Sequence, residues 1–304
     1  MTPLRIHQAL NIGRRYLEKG FSGANPYTYG VFQINDLNPG LESRVLLALA
    51  LNISPDYLWS RLQDPLEFSS FRCYRELLRK RIAGEPIAYL RGSQEFFGLD
   101  YYVAPGVLIP REETEVLVSW VLEDYPEDFY ASEGVQPRLH DCCTGTGCIP
   151  WTIKYHRNAW LVSASDIDDT AVETAETNRR NLGVDGRVYK ADLLNGLPSG
   201  PGVYRFDIIT ANPPYLTQQE WSTCMDAGWK EPELALSAGD DGLLCIRLLI
   251  AQARDWLKPS GRLYIESGPS QCKAVAELLQ SAGFSDIKIR NDLSDRERIT
   301  RGTR

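Results

Sequence analysis

The sequence predicts an α/β protein with a mainly parallel, doubly wound sheet that follows a small helical domain. Two observations predict this fold. From Arg111 onward, short apolar runs alternate with segments whose apolar residues recur at helical spacing. The first 80 or so residues, by contrast, show helical spacing alone, interrupted by turn-like segments. Alternating strands and helices imply parallel strands that are joined by right-handed crossovers.

The N-terminal part is predicted to be helical and to end in an extended connector. The helical patterns lie in RIHQALNIGRRYLEKG, ESRVLLALALNI, DYLW and FRCYRELLRKRIAG. The stretch GEPIAYLRGSQEFFGLDYYVAPGVLIP is rich in aromatic and β-branched residues and has glycine breaks, which is typical of a β-hairpin. We therefore expect a helical domain over residues 1–85, a connector hairpin over 86–110 and an α/β domain over 111–304.

The α/β domain is predicted to contain seven strands and their connecting helices. In chain order we expect a helix at Thr114–Leu122, a strand near Arg138–Asp141, a helix after Gly147, a strand at Trp160–Asp166, a helix at Asp169–Asn181, a strand near Gly186–Lys190, a strand at Phe206–Ala211, a helix at Gly242–Trp256, a strand at Arg262–Glu266, a helix at Gln271–Ala282, and strands at Ser285–Arg290 and Glu297–Arg301.

Composition excludes several classes of protein. Hydrophobic residues make up 43% and charged residues 24% of the 304 residues, as in ordinary globular proteins. The most apolar stretch, VLLALALNI, is too short to span a membrane, and the first residues lack the apolar core of a secretory signal. A net charge of −7 argues against a protein that bulk charge holds on nucleic acid. We expect a cytoplasmic enzyme that acts as a monomer.

The cysteines predict neither disulfides nor a metal site. The seven cysteines are scattered and odd in number, which fits reduced thiols in the cytosol. Cys142, Cys143 and Cys148 lie close in sequence, but neighbouring strand residues point to opposite faces, and no zinc-ligand spacing is present. We therefore expect no metal.

The first strand of the sheet leads into a glycine-containing turn, Asp141-Cys-Cys-Thr-Gly-Thr-Gly147. Such a turn lets a ligand approach the backbone, and the helix that follows offers free N–H groups. The turn matches neither the dinucleotide pattern G-x-G-x-x-G nor a phosphate-binding P-loop. A nucleoside without a phosphate is the better prediction.

Acidic residues end the next two strands. Asp166 follows Gly147 by 19 residues, near the offset at which an acidic residue binds ribose hydroxyls, and Asp192 ends the third strand, where it could bind an adenine amino group. Asp166 and Asp168 could instead serve as N-cap residues of the next helix. Together with the turn, these acids predict a nucleoside cofactor, S-adenosylmethionine.

The stretch FDIITANPPYLT carries the predicted chemistry. Prolines cannot continue the strand, so Asn212-Pro213-Pro214-Tyr215 forms a rigid, exposed corner at its tip. The Asn212 side-chain oxygen and the Pro213 carbonyl can accept hydrogen bonds from the two N–H bonds of a planar amide or amine, so that its lone pair localises for methyl transfer. Tyr215 would present an aromatic face to the flat target. An ordinary Pro-Pro turn is the alternative.

At this point the chain resembles the HemK-type (PrmC) release-factor glutamine methyltransferase family. The resemblance rests on RIAGEPIAYLRGSQEFFGLDYYVAPGVLIPREETEVLV, HDCCTGTGCI, FDIITANPPYL, EPELALSAGDDGL, LKPSGRLYIESGPSQ and NDLSDRERITRG. It implies a class I S-adenosylmethionine-dependent methyltransferase, Rossmann-like with a seven-stranded sheet, a small N-terminal helical domain and a connecting β-hairpin. It also implies a substrate: the glutamine of the Gly-Gly-Gln motif in peptide-chain release factors, docked by the N-terminal domain.

The resemblance implies that residues 143–147 (Cys143, Thr144, Gly145, Thr146 and Gly147), Asp166, Leu193 and Asn212 contact the cofactor, and that Asn212, Pro213, Pro214 and Tyr215 form the glutamine clamp. From their places at the strand ends, we also expect Asp141 and Asp192 to contact the cofactor. Phe96, Arg111 and Glu113 are candidates for the substrate pocket. Phe96 could equally belong to the core, and Arg111 could pair with Glu113 or Glu115.

The chain departs from the family pattern at three positions. Glu112 replaces a proline, Cys143 stands where many family members have glycine, and Asp295 replaces a glycine near the end of the chain. A side chain at Cys143 is tolerable if φ is negative there. None of these positions belongs to the four-residue clamp.

Three other functions remain open from the sequence. The same clamp would serve a methyltransferase acting on a ribosomal-protein glutamine. It would also serve an adenine-amino DNA methyltransferase, although the acidic chain has no basic target-recognition region. The third possibility is a non-catalytic binding protein with the same fold.

Overall fold

The computed structural model describes residues 4–21, 38–126, 136–198, 205–226 and 229–304. The chain divides into two compact units, one of residues 1–92 with 223–230 and one of residues 93–222 with 231–304. No helix among the described residues is long and apolar enough to cross a membrane.

The first unit is helical, as the sequence predicts. Its helices are α1 (Ile6–Phe21), α2 (Pro39–Leu51), a 3-10 turn (Tyr57–Arg61), α3 (Phe68–Ile82) and α4 (Ile87–Arg91). The Asn38 side chain caps α2 by accepting from the Leu41 N–H. The buried residues Leu17, Leu46 and Tyr74 form the centre of its core.

The predicted connector contains a short hairpin, β1 (Ser93–Phe96) and β2 (Leu99–Tyr102). Phe97 and Gly98 form its two-residue turn with φ of +54° and +75°, the sign that a tight hairpin turn needs at both positions. The prediction of extended structure before the hairpin is wrong for IAYLR, which forms α4. Proline at position 86 precedes this helix and glycine at position 92 ends it in a left-handed conformation.

The second unit contains a sheet of seven strands in the order β5-β4-β3-β6-β7-β9-β8. The strands are β3 (Arg138–Cys142), β4 (Leu161–Asp166), β5 (Arg187–Lys190), β6 (Phe206–Ala211), β7 (Leu257–Glu266), β8 (Ser285–Asn291) and β9 (Glu297–Thr303). The helices that follow the hairpin along the chain are α5 (Glu112–Asp124), α6 (Cys148–His156), α7 (Asp169–Asn181), α8 (Gln218–Asp226), α9 (Leu244–Trp256) and α10 (Cys272–Ser281), of which α8 begins in the second unit and ends within the 223–230 stretch of the first.

The first five of these strands are parallel, and β9 is antiparallel to both β7 and β8. The chain runs outward from β3 through β4 to β5 and then returns to the other side of β3 with β6. This reversal opens a crevice at the carboxyl ends of β3 and β6, where open α/β sheets bind ligands. All six residues of β6 are buried, because helices cover both faces of the central strands.

Candidate active site

A cavity of about 260 Å³ lies at the carboxyl ends of the parallel strands. Its walls come from the loop before α5, the tips of β3, β4, β5 and β6, the segment after residue 231 and the start of α9. Of the predicted site residues it is lined by Arg111, Cys143, Thr144, Gly145, Thr146, Asp166, Asp192, Leu193, Asn212 and Pro214. The structure thus brings the two predicted halves of the site, the turn and the clamp, to one cavity.

The turn after β3 approaches the cavity with its backbone. Gly145 (φ +54°) and Gly147 (φ +77°) are both left-handed, and Gly147 precedes the first residue of α6. Gly147 does not line the cavity. A Cβ there would lie 2.5 Å from Cδ1 of Trp151, a fully buried residue whose indole N–H donates to the Ala175 carbonyl at 2.9 Å. Gly147 therefore lets α6 pack tightly beneath the turn.

Cys143 carries strain that the sequence did not predict. Its φ is +54°, so the condition stated for tolerating a side chain there, a negative φ, is not met. Asp295, the other residue that replaces a family glycine, has φ +58°. Left-handed backbone costs a non-glycine residue about 1–2 kcal/mol. Cys143 and Asp295 therefore both carry that cost.

Asp166 is held in place by two backbone N–H groups. Its Oδ2 accepts from the Gly145 N–H at 2.9 Å and its Oδ1 from the Asp168 N–H at 3.1 Å. Burial raises its pKa, and these two hydrogen bonds act in the opposite direction. The N-cap role belongs instead to Asp168, which accepts from the Ala171 N–H. A carboxylate so fixed at the cavity wall can still accept hydrogen bonds from a diol.

Asp192 and Leu193 form the wall after β5. Asp192 and Asn195 exchange backbone hydrogen bonds in a tight turn, which places Leu193 at φ +55° with its side chain 5% exposed. The Leu193 carbonyl accepts from the Ser165 hydroxyl at 2.8 Å. Leu193 thereby offers the cavity an apolar surface.

Asp141 lies beneath the turn and does not line the cavity. It is fully buried, and its Oδ1 accepts from the Thr210 hydroxyl at 2.6 Å. Burial raises its pKa to about 7, while the hydroxyls of Thr144 and Thr210 lower it. The structure gives Asp141 a supporting position between β3, β6 and the turn.

The Asn-Pro-Pro-Tyr corner is only partly exposed, which corrects the expectation from the sequence. Asn212 and Pro214 line the cavity, whereas Pro213 and Tyr215 are buried. The N–H groups of Tyr215 and Leu216 both donate to the Leu236 carbonyl, and Gln271 donates to the Tyr215 carbonyl at 2.9 Å. The segment around Leu236 thus covers the outer side of the corner. Tyr215 supports the corner and is not a wall of the cavity, and burial raises its pKa.

The three candidates for a substrate pocket have different surroundings. Phe96 is 1% exposed and packs edge-on against Tyr101 in the core, so it is not part of the cavity. Glu113 lies 3.5 Å from Arg296 and does not line the cavity either. Arg111 does line it, and its guanidinium forms an ion pair with Glu231.

Glu231 is a site residue that sequence reasoning missed. It is 4% exposed, and its carboxylate accepts from both the Arg111 guanidinium and the Ile109 N–H. These contacts join the loop before α5 to the segment that covers the corner. The signal was present in EPELALSAGDDGL, which begins at this residue, but the pattern alone does not say what Glu231 touches.

Apolar walls were also missed. Ile167, Leu234, Leu244 and Leu248 line the cavity, and each is about half exposed. Large apolar side chains seldom stay exposed together unless they form a binding surface. They suit a flat aromatic ring such as adenine.

The charge of the cavity selects among nucleosides. Its described lining contains three carboxylates, Asp166, Asp168 and Asp192, and one cation, Arg111, which is paired. Such a site offers phosphate groups no cationic cradle and favours a ligand that carries positive charge. S-adenosylmethionine has a sulfonium and an ammonium group and no phosphate, so the residues present fit it. Among the described residues no cluster of three or more potential metal ligands occurs.

Two family models match the sequence, the PrmC N-terminal domain over residues 32–92 and the methyltransferase small domain over residues 126–229. A release factor glutamine methyltransferase from Burkholderia pseudomallei (strain K96243) is 37% identical to this chain over 269 residues, which covers 86% of this chain and 91% of that protein. A protein of the same name from Bordetella pertussis is 34% identical, covering 87% of this chain and 94% of that protein.

Solved structures show the same fold at low sequence identity. The hMettl16 catalytic domain in complex with the MAT2A 3'UTR hairpin 1 has a TM-score of 0.54 at 15% identity, covering 75% of this chain and 90% of that one. The Thermus thermophilus 16S rRNA N2 G1207 methyltransferase, in complex with AdoMet and guanosine, has a TM-score of 0.50 at 17% identity, covering 70% and 49%. The second unit therefore has the class I methyltransferase fold.

Proposed function

This chain belongs to the release factor glutamine methyltransferase family, and on that premise we propose that it transfers a methyl group from S-adenosylmethionine to the side-chain amide nitrogen of the glutamine in the Gly-Gly-Gln motif of peptide-chain release factors. One observation carries the proposal beyond family membership. Asn212 and Pro214 line the same cavity as Asp166 and the turn of residues 143–146. A methyl donor and a planar amide could therefore meet in one space.

The residues proposed to hold the cofactor divide by chemistry. Asp166 would accept hydrogen bonds from the ribose hydroxyls, Asp192 and Leu193 would flank the adenine, and the backbone of residues 143–146 would face the amino-acid end. Bound S-adenosylmethionine supplies an electrophilic methyl group on sulfur.

The chain's own contribution to the reaction is to orient the acceptor. We propose that the Asn212 Oδ1 and the Pro213 carbonyl oxygen accept hydrogen bonds from the two N–H groups of the glutamine amide. These hydrogen bonds turn the lone pair of the amide nitrogen toward the methyl group. As the nitrogen–carbon bond forms, positive charge develops on nitrogen and these oxygens stabilise it. The extra proton leaves to water after transfer, so no general base is required.

We also propose a division of labour along the chain. The helical residues 1–85 would dock the release factor and residues 86–110 would connect them to the methyltransferase domain, 111–304. The protein would act in the cytoplasm as a monomer and would not bind nucleic acid directly, in keeping with its net charge of −7.

The test is to incubate the purified protein with methyl-labelled S-adenosylmethionine and a release factor, and to map the label by peptide mass spectrometry. We expect one added methyl on the Gly-Gly-Gln glutamine and none when that glutamine is replaced by glutamate, which has no amide. A ribosomal-protein mixture and duplex DNA serve as competing acceptors. Label that enters only one of those would refute the proposed substrate.

A further inference from the structure

We propose that Thr114 and Glu266 are positioning residues that fix the orientation of the Asn212 carboxamide. The inference rests on the proposed function, in which the Asn212 oxygen accepts a hydrogen bond from the substrate amide. It gives roles to Thr114 in REETE and to Glu266 in LYIESG, two residues to which no role has been given above.

A carboxamide needs such a device because its two ends are nearly the same shape. A half-turn about the last side-chain bond exchanges the oxygen acceptor for the NH₂ donor. In the reversed orientation Asn212 would present N–H bonds to the N–H bonds of the substrate amide, and the clamp would repel its target. A neighbouring group must therefore distinguish the oxygen from the nitrogen.

The fold brings three side chains together at this point. In the parallel pairing of β6 with β7, Ala211 lies opposite Ile265, so the next residues, Asn212 and Glu266, follow at the same level of the sheet. Thr114 lies in the first turn of α5, is 2% exposed, and lines the cavity together with Asn212. Three different segments thus supply one local network.

The contact that selects the orientation is between Asn212 and Thr114. The Asn212 Nδ2 donates to the Thr114 hydroxyl oxygen at 3.3 Å. Because the NH₂ group is engaged there, the carboxamide oxygen is directed to the other side of the planar group. That oxygen is the atom the proposed clamp requires.

Glu266 is the group that can set which way the Thr114 hydroxyl points. It is 1% exposed, its buried Oε2 has no hydrogen-bond partner among the described residues, and the nearby Thr114 hydroxyl lowers its pKa, so its carboxylate is placed to accept the Thr114 proton. A hydroxyl has one proton to donate. When that proton points to the carboxylate, the hydroxyl oxygen is left to accept from Asn212 and has no proton to offer the Asn212 oxygen.

Other charges face Glu266 from neighbouring elements. Arg298 on β9 and Arg111 before α5 favour its ionised form, and Glu113 on α5 opposes it. Burial is the largest influence and raises its pKa to about 7. The carboxylate is therefore available to Thr114 above neutral pH.

The matched variants are Thr114→Val, which keeps the shape but removes the hydroxyl, and Thr114→Ser, which keeps the hydroxyl. We expect Thr114→Val to lower kcat for release-factor methylation about tenfold, the effect of roughly one lost hydrogen bond. The dissociation constant for S-adenosylmethionine should change less than twofold. Thr114→Ser should recover most of the rate, and Glu266→Met, which keeps the length of the side chain but removes the oxygen acceptor, should lower kcat with unchanged cofactor affinity. Equal losses in Thr114→Ser and Thr114→Val would show a packing role and overturn the inference.

A second measurement separates this inference from the proposed function. In ¹⁵N-labelled protein, the side-chain NH₂ resonances of Asn212 are those that vanish in Asn212→Ala. Thr114→Val should shift them and speed their exchange with water, whereas Thr114→Ser should not. This result does not depend on any methyl transfer. Resonances that do not respond to Thr114→Val would refute the network even if the parent enzyme is fully active, whereas an inactive parent would refute the proposed function alone.

Discussion

Gly147→Ala should lower the free energy of unfolding and weaken cofactor binding. The size of the loss in stability can be worked out from the structure. The new methyl group would meet Trp151 Cδ1 at 2.5 Å and Ala175 Cβ at 3.2 Å, far inside normal contact. Trp151 is fully buried, so it cannot move aside without breaking its hydrogen bond to the Ala175 carbonyl. Left-handed backbone adds about 1–2 kcal/mol, and the lost buried hydrogen bond adds about 1–3 kcal/mol. The free energy of unfolding should fall by about 2–5 kcal/mol in total.

Gly183→Ala is the matched control. Gly183 is also left-handed, with φ +65°, but a Cβ there meets nothing within 4 Å. It should therefore lose only the backbone cost of about 1–2 kcal/mol. The difference between the two variants isolates the overlap with Trp151.

The assay is urea unfolding followed by tryptophan fluorescence, with calorimetry of S-adenosylmethionine binding on the folded variants. Gly147→Ala should weaken cofactor binding because the turn must shift, whereas Gly183→Ala should leave it unchanged. If both variants lose the same free energy of unfolding, the turn relaxes around the methyl group and the packing argument fails.

Three further predictions concern the site and its support. Asp166→Ala should weaken S-adenosylmethionine binding at least about tenfold in calorimetry, since it removes a carboxylate that can bind a diol; an unchanged affinity would exclude that contact. Cys143→Gly should leave the unfolding free energy equal or higher by up to about 1 kcal/mol, because relief of left-handed strain outweighs the freedom that glycine gains when unfolded; a clear loss in urea unfolding would contradict the strain. Burial lowers the pKa of His140 to about 3. Below about pH 6.5 the unfolded chain therefore takes up a proton that the folded chain does not. As the pH is lowered from about 6 to about 4, the free energy of unfolding should decrease by about 1.4 kcal/mol per pH unit. His140→Gln should flatten that slope, and parallel slopes for the two proteins would refute it.

The elements that the sequence predicted best are those whose ends are marked by their own residues. The predicted bounds of β6 and α7 match the structure. In β6 an apolar run stops at consecutive prolines, and α7 begins after a true N-cap, Asp168. In both cases the terminating signal is local, so it does not depend on the rest of the fold.

The errors arise where tertiary contacts decide. IAYLR has β-forming residues but becomes helical between Pro86 and Gly92. The helix Gln218–Asp226 was not predicted because its pattern is weak. The burial of Tyr215 follows from hydrogen bonds to Leu236, a residue that lies 21 positions further along the chain. No local sequence pattern predicts that a distant segment will bury Tyr215.

The sequence predicted only part of the candidate site, because some of its residues lie at strand ends and others lie in loops. Strand-tip residues such as Asp166 and Asn212 could be identified because parallel strands bring their carboxyl ends to one edge. Glu231 and the apolar walls come from loops whose path the sequence does not specify. Asp141, which was expected to contact the cofactor, lies beneath the turn and does not line the cavity.

The reversal of strand order between β3 and β6 means that two separate segments of the chain build the two sides of the cavity. The strand tips at residues 143–193 are assigned to the methyl donor, and the strand tip at residues 212–214 is assigned to the acceptor. Insertions or substitutions in the acceptor segment can change which acceptor nitrogen is presented to the methyl group, without disturbing the segment that binds the methyl donor. The same donor half can thus be inherited unchanged by enzymes that diverge in what they modify.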